Sequence, residues 1–240
     1  MKSKPKIAIL RWEEGQVPAG LLQLENLPGN STNPASYPFE VRMIHIKGAC
    51  VETVITNPSQ TLLEDMIVQA RHLVEEEGIR AITTSCGFNA IFQKALSEAL
   101  PVPVFTSALL QIPFIKNVIG NRPIGVLTAN GKALSPAHFE ACGVDKNTEV
   151  YVMGLEKAPQ WSKIFTHPDE NFDVEEVRQE ILGTVMEGMK ACPDMGAILL
   201  ECTDLPPFGS AVQEATGLPV FDFNSMMGIM AAALGEHRLY

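Results

Sequence analysis

The sequence is short of positive charge. Its 18 lysines and arginines stand against 28 aspartates and glutamates, for a net charge of −10. No basic cluster is available to release counterions from a phosphate backbone, so nucleic acid is not an expected partner. Long apolar runs are also missing. A membrane span needs about 20 consecutive apolar residues, and no stretch approaches that, so no membrane partner is expected. The start is basic, but only Ile7-Ala8-Ile9-Leu10 follows before Arg11. That is too short for the apolar region of a secretion signal and implies a cytoplasmic protein. The five cysteines lack Cys-x-x-Cys spacing, which excludes the usual disulfide frameworks and zinc ribbons. No P-loop or GxGxxG stretch supports a nucleotide cofactor. What is present is 240 residues, 46% of them hydrophobic, enough for one large or two small packed domains.

The most informative feature is an internal repeat. Adding 116 carries Ala81-Ile82 onto Ala197-Ile198, Cys86 onto Cys202, Phe92 onto Phe208 and Pro103-Val104-Phe105 onto Pro219-Val220-Phe221. Residues 81–105 and 197–221 share 10 identities in 25 positions without a gap. Upstream, Ile7-Ala8-Ile9-Leu10 resembles Ile124-Gly125-Val126-Leu127 at an offset of 117.

Local patterns agree. Asn57-Pro58-Ser59-Gln60 offers an N-cap at Asn57 with proline at the first helical position, and Asp173-Val174-Glu175-Glu176 is a capping-box pattern 116 residues later. Apolar residues at helical spacing follow each, closed by Gly78 in one half and Pro193 in the other. Apolar runs at 79–83 and 197–200 suit strands buried on both faces of a parallel sheet. Each half then reads strand, helix, strand, cysteine loop, short helix, strand. This alternation predicts an α/β fold of two pseudo-symmetric lobes, each a mostly parallel sheet flanked by helices, facing one another across a cleft. The lobes are drawn at 1–106 plus 225–240 and at 107–224. Apolar residues 223–234 form a closing helix that crosses back onto the first lobe, as 107–118 connects into the second. Its methionines suit a core or a contact between copies of the chain, so a homo-oligomer, dimer or higher, is compatible. Loops 26–38 and 157–171, the latter with Trp161 and His167, either cover the cleft or run over the surface.

Cys86 and Cys202 each follow a buried strand and precede a helix, where ligands bind in open α/β sheets. Two thiols on opposite walls suit removing a proton from one face of a carbon and returning one to the other. A thiol is near the right acidity, and helix N-termini and loop amides favour both thiolate and a bound carboxylate. The competing reading is two small hydrophobes at equivalent core positions. Cys50, Cys142 and Cys192 lack repeat partners and read as structural. No histidine lies near either cysteine in sequence.

Thr83-Thr84-Ser85-Cys86-Gly87-Phe88-Asn89 and Leu200-Glu201-Cys202-Thr203-Asp204 resemble the two cysteine loops of the aspartate/glutamate/hydantoin racemase superfamily. With the repeat, the resemblance spans nearly the whole chain. It implies cofactor-independent proton transfer by a cysteine pair, Cys86 and Cys202, on a small carboxylate or amide-type substrate held between the lobes. In the second loop, Cys-Thr followed by an acidic residue matches the family; in the first, Gly87-Phe88 replaces the more usual Asn-Thr. The expected activity is a racemase or epimerase of a small amino acid or related carbonyl compound. Hydantoin racemase and maleate cis–trans isomerase are close alternatives, and arylmalonate-type decarboxylation is a weaker one. A non-catalytic binding module and a thiol-redox protein are rivals of other classes. Substrate-binding candidates are Arg11, Thr84, Ser85, Gly87, Asn89, Thr128, Asn130, Thr203 and Asp204. The polar ones among them could equally cap helices or form turns. Trp12 and Phe88, if they face the cleft, point to a bulkier or more apolar substrate than aspartate.

Overall fold

A computed structural model describes residues 5–236. The basic residues at 1–4 and the last four of the 225–240 segment lie outside the described residues. The first half runs β1 (Ile7–Arg11), α1 (Ala19–Glu25), β2 (Val41–His45), α2 (Gln60–Glu76), β3 (Ala81–Thr84), α3 (Gln93–Ala99), β4 (Val104–Phe105) and α4 (Ile112–Ile119). The second runs β5 (Ile124–Thr128), α5 (Pro136–Ala141), β6 (Val150–Gly154), α6 (Lys163–Thr166), α7 (Val174–Ala191), β7 (Ala197–Leu200), α8 (Gly209–Thr216), β8 (Val220–Phe221) and α9 (Phe223–Ala233).

Both sheets are parallel throughout, in the orders β2-β1-β3-β4 and β6-β5-β7-β8. The repeat extends to register, since Ile7 lies opposite Ala81 as Ile124 lies opposite Ala197. Strands β1, β3, β5 and β7 are buried on both faces, as their unbroken apolar runs predict. Burying an isoleucine such as Ile82 or Ile198 contributes about 1.5–3 kcal/mol. Strands β2 and β6 are additions to the expected three strands per half. Each is an edge strand and only partly buried; Arg42 interrupts the apolar residues of β2, while the apolar run at 150–153 in β6 has no matching run in the first half to mark it as part of the repeat.

Helix starts follow side-chain chemistry. Asp173 caps α7 by accepting from the amides of Glu175 and Glu176, as expected. In α2 the cap is Ser59, accepting from Leu62 N–H, and not Asn57; the proline therefore precedes the cap instead of opening the helix. Gly78, at φ +75°, closes that helix, and the Ile79 amide returns to the Leu73 carbonyl.

The closing helices change lobes. Ile112 and Ile115 of α4 pack with Ile124 and Ala197 of the second sheet. Phe223, Met226, Met227 and Ala231 of α9 pack on Ile7, Ile9, Ala81 and Phe105 of the first. The starts of the two helices meet, where Gln111 donates to the Asp222 carbonyl at 2.8 Å and accepts from Ser225 at 3.0 Å.

In each lobe the chain passes from the second strand of the sheet order to the edge strand beside it, then crosses back to the strand on the other side. The crevice at that reversal lies between the carboxyl ends of β1 and β3, and again of β5 and β7. Trp12 and Cys86 follow the first pair, and Ala129 and Cys202 the second.

Candidate active site

Between these strand ends lies a narrow cleft. Cys86 and Cys202 both line it, one from each lobe. Ser85, Gly87, Thr203 and Asp204 of the same two loops are also on its wall. The rest is largely apolar and aromatic, including Trp12, Phe88, Trp161 and Ile164. The loops are joined directly, because the Thr203 hydroxyl donates to the Ser85 carbonyl. Gly87 is required at this junction, since a Cβ there would overlap the carboxyl and carbonyl oxygens of Glu201.

The other candidates lie outside the cleft lining, most of them bonded elsewhere. Thr84 donates to the Thr106 carbonyl at 2.8 Å and contacts that of Cys86. Thr128 donates to Glu201 Oε2 at 2.7 Å. Asn130 accepts from the amides of Lys132 and Ala133, the turn role. Asn89 is buried in the turn after Cys86, its Oδ1 without a partner. Arg11 is tied by a 2.6 Å ion pair to Glu25, which itself lines the cleft, so its charge is already neutralised. Among the described residues, no group of three or more His, Cys, Asp or Glu could hold a metal ion.

Both loops that the sequence left open supply cover. Thr32 and Trp161 reach the cleft from segments 26–38 and 157–171. Asn30 donates to Asp204 Oδ1 at 2.8 Å, Ser31 N–H to the Thr203 carbonyl and Asn224 to the Gly29 carbonyl, so the first loop is strapped to the second cysteine loop. Trp161 is wholly buried and stacks on Phe172, ring centres 6.0 Å apart. Trp161 and Thr32 lie in the two loops that the sequence left open, whereas Glu25 escaped the sequence because it arrives with no local motif. For Glu25, the one available signal was the need of Arg11 for an anion.

The electrostatics oppose thiolates. Burial, then the charge of Glu201, pushes the Cys86 thiol well above its ordinary value. Burial, then Asp204 and Glu201, does the same to Cys202. Two amides at equivalent positions work the other way: Phe88 N–H favours the Cys86 thiolate and Asp204 N–H that of Cys202. The Trp12 indole N–H has no full hydrogen bond, yet lies close enough to Cys86 to favour its anion. Burial raises Glu201 and Asp204 each to about 7.

A family model described as Asp/Glu/Hydantoin racemase matches residues 38–227. The chain is 32% identical over 202 residues to a dimethylsulfoniopropionate lyase of Durusdinium sp. clade D, covering 82% of this chain and 66% of that one. It is 28% identical over 242 residues to dimethylsulfoniopropionate lyase 6 of Emiliania huxleyi (strain CCMP1516), covering 97% of this chain and 61% of that one. The chain thus spans less than two thirds of the length of these curated relatives. Its fold is similar to that of allantoin racemase from Pseudomonas fluorescens, with a TM-score of 0.63 at 16% identity over 95% of this chain and 91% of that one. Among the described residues, no helix is long and apolar enough to cross a membrane.

Proposed function

The chain belongs to the Asp/Glu/hydantoin racemase family, and on that premise we propose an enzyme that removes a proton α to a carboxylate with a cysteine thiolate. The substrate we propose is a small zwitterion of the dimethylsulfoniopropionate kind, cleaved by β-elimination. The observation that carries this reading is the composition of the cleft. Two thiols share it with Trp12, Trp161 and Phe88 and with the carboxyl of Asp204, while Glu25 on its wall is paired with Arg11 and, among the described residues, no free cation lines it. Aromatic faces beside carboxylates attract a fixed cation such as a sulfonium, whereas aspartate or glutamate brings a second carboxylate that finds no arginine.

The reaction then needs little more than the loops supply. A thiolate takes the α-proton, and the electron pair left on Cα forms the Cα–Cβ double bond. The Cβ–S bond breaks, its pair leaving on the neutral sulfide, and the thiol later returns its proton to solvent. Dimethyl sulfide and acrylate are the products. The low-dielectric cleft strengthens the attraction between substrate carboxylate and loop amides as charge develops.

Racemisation is the second reading, favoured by the presence of two thiols where elimination needs one. In it the second cysteine, protonated, delivers a proton to the opposite face of the same carbon, the pair exchanging roles with substrate hand.

Headspace gas chromatography separates the two. With dimethylsulfoniopropionate, the protein should release dimethyl sulfide, and the Cys86→Ala or Cys202→Ala variant that removes the base should lose it by about two orders of magnitude or more. If no sulfide appears but single enantiomers exchange their α-proton in deuterated water, elimination is wrong and racemisation stands. If wild-type turnover of a confirmed substrate survives both substitutions, both readings fall.

A further inference from the structure

Glu201 lines no part of the cleft, yet it stands behind both cysteine loops. It directly follows β7 and precedes Cys202, its amide donating to the Leu127 carbonyl at 2.8 Å. Its side chain is wholly buried. Oε2 accepts from Thr128, and Oε1 has no partner. Because a Cβ at Gly87 would overlap Oε1, that oxygen lies against the backbone of the first cysteine loop. One carboxyl group therefore touches the Cys86 loop while being bonded into the Cys202 loop.

A carboxylate has about four acceptor sites, and a single hydroxyl serves this one. Burying the charge so poorly solvated is costly, and adding a thiolate beside it is costlier. We infer that Glu201 is a positioning residue for charge: a cysteine of the cleft becomes thiolate only while Glu201 holds a proton. This rests on the proposed thiolate chemistry and adds to it how that thiolate is tolerated. When Glu201 takes up a proton and a thiol gives one to solvent, the negative charge shared by Glu201 and that thiol stays at one throughout.

The ionisable neighbours are consistent with this. Cys86, Cys202 and Cys142, which ends α5, all feel the charge of Glu201. Asp204 adds a second negative charge beside the two cleft cysteines. His138 on α5 packs edge-on against Phe88, and burial lowers its pKa, so it supplies no cation. Among the described residues, Thr128 is the only group that favours the Glu201 carboxylate.

The test reads the thiols and needs no substrate. Carboxamidomethylation of Cys86 and Cys202 by iodoacetamide, followed by peptide mass mapping across pH, gives the ionisation midpoint of each. Glu201→Gln keeps the shape and an acceptor for Thr128 while removing the charge, and should move both midpoints down by about one pH unit or more. Thr128→Val withdraws the one bond that favours the carboxylate and should move them the same way by less. It also serves as the readout if the Gln variant does not fold. Unchanged midpoints in the variants that fold overturn the inference. Shifted midpoints in a protein that neither eliminates nor exchanges α-protons would sink the proposed reaction and leave this inference standing.

Discussion

Glu201 and Asp204 each carry a carboxyl group into surroundings that disfavour its charge, and the consequence reaches beyond catalysis. Below about pH 4.5 the Glu201 proton is present in folded and unfolded chains alike, and burial of the neutral acid adds no charge cost. Between that pH and about 7 the unfolded chain loses the proton while the folded chain keeps it, so stability falls as pH rises. Above 7 the full difference applies, roughly 3 kcal/mol for a displacement from 4.5 to about 7. Asp204 acts in the same direction. Glu201→Gln should therefore melt higher than the wild type at pH 8, with the gap closing toward pH 5. Thermal melts at the two pH values check this, and a gap independent of pH contradicts it. Gly87→Ala acts through space instead. Its methyl group meets the Glu201 oxygens at the loop junction, and denaturant unfolding should show a loss of about 1–3 kcal/mol. The cysteines were legible at this scale because a repeat marked them. Glu201 carried a fainter mark, a charged residue placed without a break after a buried apolar strand.

At the scale of elements, what the sequence displayed depended on burial. Strands β3 and β7 lie inside their sheets and carry the repeat; β2 and β6 lie at edges, half-wetted, where Arg42 interrupts Val41-Arg42-Met43-Ile44-His45 and the apolar start of Val150-Tyr151-Val152-Met153-Gly154 has no counterpart to mark it. The segment at 26–38 read as a loop from its prolines and asparagines, but its strap to Thr203 and Asp204 depends on partners about 170 residues away. Asn30→Ala removes the bond to Asp204 as well as the turn that Asn30 Oδ1 makes with Thr32. Limited proteolysis should then cut within 26–38 several-fold faster than in the wild type; an unchanged rate would mean that the strap is held elsewhere. Helix α7 offers the opposite case. Nothing lies within 4 Å of a Cβ built on Gly183, and the position is helical, so Gly183→Ala should stabilise by about 0.4–1 kcal/mol in the same unfolding measurement.

On the scale of the whole molecule, the cleft exists because two near-copies of one unit meet at their cysteine loops. Thr203 reaches Ser85 across the junction, and α4 and α9 each cover the other half's sheet. The repeat made this arrangement legible before any contact was known. The aromatic lining was less so, since Trp12 and Trp161 come from different lobes and converge only after folding. A fragment of residues 1–106 leaves Ile7, Ile9, Ala81 and Phe105 without the apolar face of α9. It should show no cooperative melt by circular dichroism, and a sharp transition would show the half to be self-sufficient. The exchange of closing helices carries a historical reading as well. A half-length ancestor ending in such a helix could have buried it only on a sister molecule, so today's single polypeptide has the form of that ancient couple, joined end to end by gene fusion.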